Sequence, residues 1–228
     1  MVAVIGDVHG CYFTLKALYN NILAKYPGIE VYCVGDLIDR GRNSYEVVKF
    51  FIDYSIPFTP GNHDFMFYAF VREPDSLFAR SWVYNGNEAT LHSYLNHYDS
   101  IAEHIEYLHC QPLFYDLDDC FISHAGISER YKKQLLPGMK VDIEMLESLI
   151  YSDYKLDTGV LWTRDKLMNI GKLQVVGHSK QNNVRVDTKA NAVYIDTGAF
   201  AGLKLSSVII HQGHVIDIIE EPTHQDDI

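Results

Sequence analysis

The stretch "AVIGDVHG", residues 3–10, decides the fold. An apolar run too short for a helix stops at Gly6. Two residues with metal-binding chemistry, Asp7 and His9, follow at once. Val2–Ile5 reads as a buried strand. Asp7 and His9 are two apart, so in extended backbone both point to the same side. The next stretch, "CYFTLKALYNNILAKY", repeats Leu15, Leu18, Tyr19, Ile22, Leu23 and Tyr26 at helical spacing, and Pro27-Gly28 closes it.

The alternation continues outward. A second buried strand is expected at 31–34 and a second helix at "SYEVVKFFIDY". Further strands are expected near 56–59, 120–123, 173–176 and 192–195. "SSVIIHQGHVIDII" reads as a hairpin turning at Gln212-Gly213. This order predicts an α/β fold with mixed sheets. Two regions break the rhythm. Residues 65–111 look helical and aromatic-rich, and 132–158 look helical or irregular. Both are expected to cap one face of the sheets. The first is also where substrate specificity is expected to reside. The chain reads as one domain, 1–228, with an acidic tail at 220–228 that is expected to fray.

Bulk properties narrow the function. The 228 residues are 47% hydrophobic and 21% charged, with a formal net charge of −11. That balance argues against broad nucleic-acid binding or an anionic membrane surface. It leaves a small phosphate ligand open, because a metal ion reverses the local field. Cys11, Cys33, Cys110 and Cys120 form no C-x-x-C pair. They predict packed thiols in a reduced, cytoplasmic protein. The N-terminus lacks a signal-peptide pattern, and no apolar run reaches membrane-span length. Oligomeric state is not legible.

Other strand ends repeat the first. "YCVGDLIDRG" ends in Asp36, Asp39 and Arg40; "FTPGNHD" in Asn62 and His63; "FISHAG" in His124; "QVVGHS" in His178. In open α/β sheets that edge is where sites form. One such residue alone would be an ordinary turn cap. Six donors, Asp7, His9, Asp36, Asn62, His124 and His178, are too many for one tetrahedral ion and about right for two, with one carboxylate bridging. Mixed nitrogen and oxygen ligands without thiolate suit Mn, Fe or Zn. Two ions about 3.5–4 Å apart are the usual device for in-line attack on a phosphoryl group. Asn62 and His63 would face opposite ways in an extended chain. If Asn62 faces a metal, His63 need not be a ligand. Asp196 ends a strand too, and reads as structural.

In this order "GDVHG", "GDLIDRG", "GNHD", "SHAG" and "GHS" resemble the calcineurin-like metallophosphoesterases, most closely the bacterial and phage relatives of the phosphoprotein phosphatase family. "LWTRD" and "IDTGAF" resemble that family's later segments, and "WVYNGNEATLHSY" is similar to a segment of bacterial members. The resemblance spans essentially the whole chain. It implies two mixed sheets packed face to face with helices outside, in an α/β/β/α sandwich. It implies one metal on Asp7, His9 and Asp36, and another on Asp36, Asn62, His124 and His178. His63 would be the general acid, oriented by Asp39, with Arg40 and Arg164 on the phosphate oxygens. A metal-bridging hydroxide would attack directly, without a phosphoenzyme intermediate.

The resemblance points first to a Ser/Thr protein phosphatase acting on a phosphorylated protein or small phosphate ester. The alternative is a diadenosine tetraphosphate hydrolase or RNA-end phosphatase, which share the "GNHD" form. A metal-binding scaffold without activity would be expected to lose His63 or Asp36. Phosphoprotein phosphatases usually have Arg and Glu where this chain has Pro60 and Asp64. Symmetrical diadenosine tetraphosphate hydrolases commonly lack an acid at the place of Asp39. "GHSK" replaces the more usual "GHTP", so Lys180 adds a positive charge there.

Overall fold

A computed structural model describes residues 1–133, 141 and 143–228 of the chain. β1 (Val2–Ile5), α1 (Tyr12–Lys25), β2 (Glu30–Cys33) and α2 (Ser44–Tyr54) form the first βαβα unit. Four helices follow: α3 (Asn62–Arg72), α4 (Leu77–Trp82), α5 (Asn87–Ser93) and α6 (Ile101–His109). Then come β3 (Phe114–Asp116), β4 (Phe121–Ser123), α7 (Ile143–Asp153), β5 (Gln174–Val176), β6 (Arg185–Asp187) and β7 (Ala192–Tyr194). The hairpin β8 (Lys204–His211) and β9 (His214–Pro222) turns at Gln212-Gly213, as the sequence predicts.

Two mixed sheets result, with strand orders β2-β1-β8-β9 and β3-β4-β5-β7-β6. β1 and β2 run parallel while β8 and β9 are antiparallel neighbours. In the second sheet β4, β5 and β7 are parallel and the edge strands β3 and β6 antiparallel. Alternation along the strands assigns each face. Val2 and Val4 of β1 join Ile122, Val175 and Val193 between the sheets. Ala3 and Ile5 face the other way, into a cluster with Leu15, Leu18 and Ile22 of α1. Phe121 of β4 packs outward with Leu146 and Ile150 of α7. Helices therefore cover both outer faces, giving the expected four layers. No helix among the described residues is long and apolar enough to cross a membrane.

Several expectations change. Residues 56–59 form no strand, only a bridge between Cys33 and Phe58. Pro57 and Pro60 have no N–H to donate, so the pairing ends after two hydrogen bonds at Cys33. Asn62 and His63 lie in the first turn of α3 rather than in extended chain. Gly61 is its N-cap, and the Asp64 carboxylate accepts from the Gly61 N–H at 2.9 Å.

The 65–111 region is helical as expected. Yet Met66, Phe67, Trp82, Tyr94, Ile105 and Leu108 share the cluster that holds Ile5 and Leu15. The 132–158 excursion carries α7 and the end of a short 3₁₀ turn, Glu129–Lys133; its residues 134–140 and 142 lie outside the described residues. The cysteines are free, and Cys110 is exposed while the other three are packed as expected.

The acidic tail does not fray. Its first residues belong to β9, and Asp227 is fully buried. Cys11, the N-cap of α1, offers no side-chain cap. Asp227 does so instead, accepting from the N–H groups of Phe13 and Thr14 at 3.0 and 2.9 Å and from the Thr14 hydroxyl at 2.6 Å. A carboxylate at a helix N-terminus satisfies free N–H groups and complements the dipole.

Candidate metal centre

β1 and β2 are parallel, so their carboxyl ends lie on one edge of the first sheet. Those ends deliver Asp7, His9, Asp36, Asp39 and Arg40. β4, β5 and β7 likewise deliver His124, His178 and Asp196 from the second. The two edges meet: the His178 N–H donates to Asp7 Oδ2 at 3.0 Å. The start of α3 adds Asn62 and His63, and the His63 N–H donates to Asp36 Oδ1 at 2.9 Å.

The backbone is strained here. Positive φ occurs at His9 (46°), Asp36 (50°), Asp39 (71°), Arg40 (71°) and His178 (60°). Such conformations cost about 1–3 kcal/mol each and persist where surrounding structure enforces them. Every one of these residues was a site candidate from sequence.

Hydrogen bonds fix the ring tautomers. His9 Nδ1 donates to Ile38 O at 2.9 Å, and His124 Nδ1 to Val34 O at 2.8 Å. His178 Nε2 donates to Trp162 O at 3.1 Å. The opposite nitrogen of each ring therefore carries a lone pair. His178 Nδ1 lies 2.8 Å and His124 Nε2 3.2 Å from Asn62 Oδ1. Three electron-pair donors thus converge with no proton among them. Asp36 Oδ2 lies 3.5 Å from His9 Nε2 and 3.6 Å from His124 Nε2. Asp7 Oδ1 is buried without a hydrogen-bond partner. Both observations are what a divalent cation would resolve.

Charge agrees. Burial, with Asp196 and Asp36 nearby, pushes Asp7 well above the usual carboxylate range. Burial raises Asp196 to about 6. Burial would raise Asp36 too, but His124, His63 and His9 around it hold it below its ordinary value. Burial lowers His9 and His124, and pushes His178 down to about 3. Imidazoles and carboxylates crowded together out of water are what bound divalent cations would relieve. The donor set fits two divalent cations.

Two groups lie within ligand reach, Asp7 with Asp36 and His124, and His9 with Asp36 and His63. Asp36 belongs to both. The grouping differs from the implied sets: Asp7 stands with His124 rather than with His9, His63 joins His9 and Asp36, and His178 is in neither group. The other nitrogen of His63 is occupied, since His63 Nδ1 lies 2.6 Å from Asp39 Oδ2. Arg40 spans the mouth, donating to His9 Nε2 at 2.8 Å and to His63 Nε2 at 2.9 Å. Its guanidinium lies 4.3 Å from the centre of the Phe200 ring. Arg164 is exposed and has no hydrogen-bond or ion-pair partner among the described residues. Its charge helps to depress His124 and His178. Asp64 accepts from Leu37 N–H at 3.0 Å and ties β2 to α3.

Asp196, read as structural, accepts from the Gly198 N–H at 3.0 Å through Oδ1. Phe200, the last residue of "IDTGAF", stands against Arg40, a contact its residue type alone does not announce.

The chain matches the family model described as calcineurin-like phosphoesterase over residues 1–215. It is 28% identical over 145 residues to a symmetrical bis(5'-nucleosyl)-tetraphosphatase from Psychromonas ingrahamii, covering 62% of this chain and 49% of the relative. It is 32% identical over 133 residues to the enzyme of the same name from Coxiella burnetii, covering 56% and 42%. The chain thus spans about half the length of the curated relatives it matches.

Among solved structures, a protein proposed to be a diadenosine tetraphosphatase aligns with a TM-score of 0.63 at 20% identity, covering 98% of this chain and 94% of that one. A cold-active protein-tyrosine phosphatase from a Shewanella species gives 0.60 at 16% identity, covering 98% and 80%. At those identities the likeness concerns the fold. The family match spans nearly the whole sequence, and the chain belongs to the calcineurin-like phosphoesterases.

Proposed function

We propose that this chain is a hydrolase of phosphate esters and anhydrides that works with two divalent cations, and that its substrate is a dinucleoside polyphosphate. The observation that carries the chemistry is the convergence of Asn62 Oδ1, His124 Nε2 and His178 Nδ1 with no proton among them, beside the shared Asp36. The substrate rests on the named relatives.

Asp7, His9 and Asp36 would hold one cation, and Asp36, Asn62, His124 and His178 the other. Manganese suits the donors, as do iron and zinc. When bound, the cations supply Lewis acidity toward phosphoryl oxygens and a water of lowered pKa. Arg40 holds phosphate oxygens through its two-pronged guanidinium, and Arg164 offers a second, exposed cation. Drawing Arg40 onto phosphate frees Nε2 of His63. That nitrogen, once protonated from solvent, would carry the proton for the departing oxygen, while Asp39 holds Nδ1–H and fixes the ring.

One observation favours a second reading, a phosphomonoesterase for phosphoserine or phosphothreonine. The buried His63–Asp39 pair suits an alkoxide, which needs a proton to leave more than a nucleoside diphosphate does. The test is manganese-reloaded protein given diadenosine tetraphosphate and a phosphothreonine peptide at equal concentration. Faster cleavage of the dinucleotide, to two nucleoside diphosphates, is the expected result. Faster phosphate release from the peptide would replace it with the second reading. Silence on both with metal bound would reject both substrates.

A further inference from the structure

The segment "WVYNGNEATLHSY", residues 82–94, has no part in the metal centre, yet it grips the turn that carries Asp39 and Arg40. Hydrogen bonds join the two stretches. The Trp82 indole N–H donates to Asp39 Oδ2 at 2.8 Å. The Arg40 N–H donates to Gly86 O at 3.1 Å. The Thr90 hydroxyl donates to Asp39 Oδ1 at 2.6 Å and accepts from the Asp39 N–H at 3.0 Å. The Tyr45 N–H donates to Ser93 Oγ at 2.9 Å. Trp82, Thr90 and Asp39 are all fully buried.

The held turn cannot hold itself. Asp39 and Arg40 are consecutive non-glycine residues, both at φ 71°. A lone strained residue of this kind persists only when its surroundings over-determine it, and here two stand side by side. Asp39 Oδ2 is shared between His63 Nδ1 and Trp82 Nε1, while Oδ1 is taken by Thr90. Each oxygen is thereby aimed by its own donors.

We infer that Trp82 and Thr90 are positioning residues for proton donation: they hold the Asp39 carboxylate that holds His63, so the 82–94 segment is a clamp on the catalytic turn. The inference rests on the reading of His63 as the acid. It gives the 65–111 region a role in chemistry, where the sequence suggested a specificity cap. Trp82 also packs 4.9 Å from Phe67, so its ring has a structural task; its N–H has a separate one.

The test separates leaving groups. Trp82→Phe keeps an aromatic ring and removes the donor; Thr90→Val keeps the shape and removes the hydroxyl. Each is loaded with manganese and assayed on phenyl phosphate, a poor leaving group, and 4-nitrophenyl phosphate, a good one. The ratio of the two kcat values, phenyl over nitrophenyl, is expected to fall about tenfold in each variant. His63→Asn serves as comparator and should lower the ratio further. An unchanged ratio in both variants, with His63→Asn lowering it, would overturn the clamp and leave the acid standing. An unchanged ratio in His63→Asn would remove the acid itself, and the clamp with it.

If neither variant folds, the indole N–H resonance of Trp82 decides. The chain has two tryptophans, so it is readily assigned. When wild-type protein loaded with diamagnetic zinc is saturated with inorganic phosphate, the resonance should shift, because Arg40 and His63 rearrange against Asp39. An unmoved resonance would reject the coupling.

Discussion

Gly177 faces Asp7 so closely that a Cβ at Gly177 would collide with Asp7 Oδ1, the buried oxygen without a hydrogen-bond partner. Gly61 stands in the same relation to Asp36 Oδ1. Each carboxylate sits against bare backbone at the end of a neighbouring strand or loop. Backbone approach of this kind is what glycine permits.

Gly177→Ala must therefore push Asp7 from its place. The expected outcome is a loss of metal affinity of about 10–100-fold with the fold retained, read by manganese titration calorimetry beside circular dichroism. Affinity equal to wild type would mean that Asp7 is not a ligand.

The pH dependence of the metal-free protein follows from His178. Burial, then His124 and Arg164, push it down to about 3 from an ordinary 6.5. Below pH 6.5 the unfolded chain takes up this proton while the folded chain does not. Stability is thus fully present above pH 6.5 and declines as pH falls toward 3, by up to about 1.4 kcal/mol per pH unit. Urea unfolding of apo protein between pH 7 and 4 should show a steeper decline in wild type than in His178→Asn. Parallel curves would contradict the assignment.

Much of this was legible in the sequence, and the reason is local. Val2–Ile5 followed by Asp7 and His9 is a strand and its edge within nine residues, so periodicity and spacing suffice. The same holds for Asp36, His124 and His178. Misreadings arose where the deciding partner is distant or the local signal was overlooked. Gly61 with Asp64 three residues on is a helix start, and it turns Asn62 and His63 out of the extended geometry first assumed. Pro57 and Pro60 mark where strand pairing must stop. The tail looked polar and loose, but Asp227 meets Thr14 across 213 residues. Nothing near Trp82 in the sequence points to Asp39.

Asp227→Ala should destabilise the protein by about 2 kcal/mol, because it uncaps α1 and strands a buried hydroxyl. The melting midpoint is expected to fall by about 4–8 °C. The Asp227 carbonyl also accepts from Arg42 N–H at 2.9 Å, next to the catalytic turn. A midpoint unchanged from wild type would show the cap to be dispensable.

Arg40 and Arg164 should not be equivalent. Arg40 is held by Gly86, Phe200, His9 and His63, whereas Arg164 is exposed without a partner among the described residues. Arg40→Ala is expected to lower kcat/KM for 4-nitrophenyl phosphate by about 100-fold or more, and Arg164→Ala by about tenfold. Equal losses would mean that both arginines hold phosphate with the same rigidity.

A pair of cations sharing Asp36 would require that carboxylate for both ions. The direct measurement is metal content after equilibrium dialysis against manganese, with wild type and Asp36→Asn side by side. Two ions per chain in wild type, and fewer than one in the variant, is the expected result. One ion or none in wild type, or two retained without the Asp36 carboxylate, would contradict it.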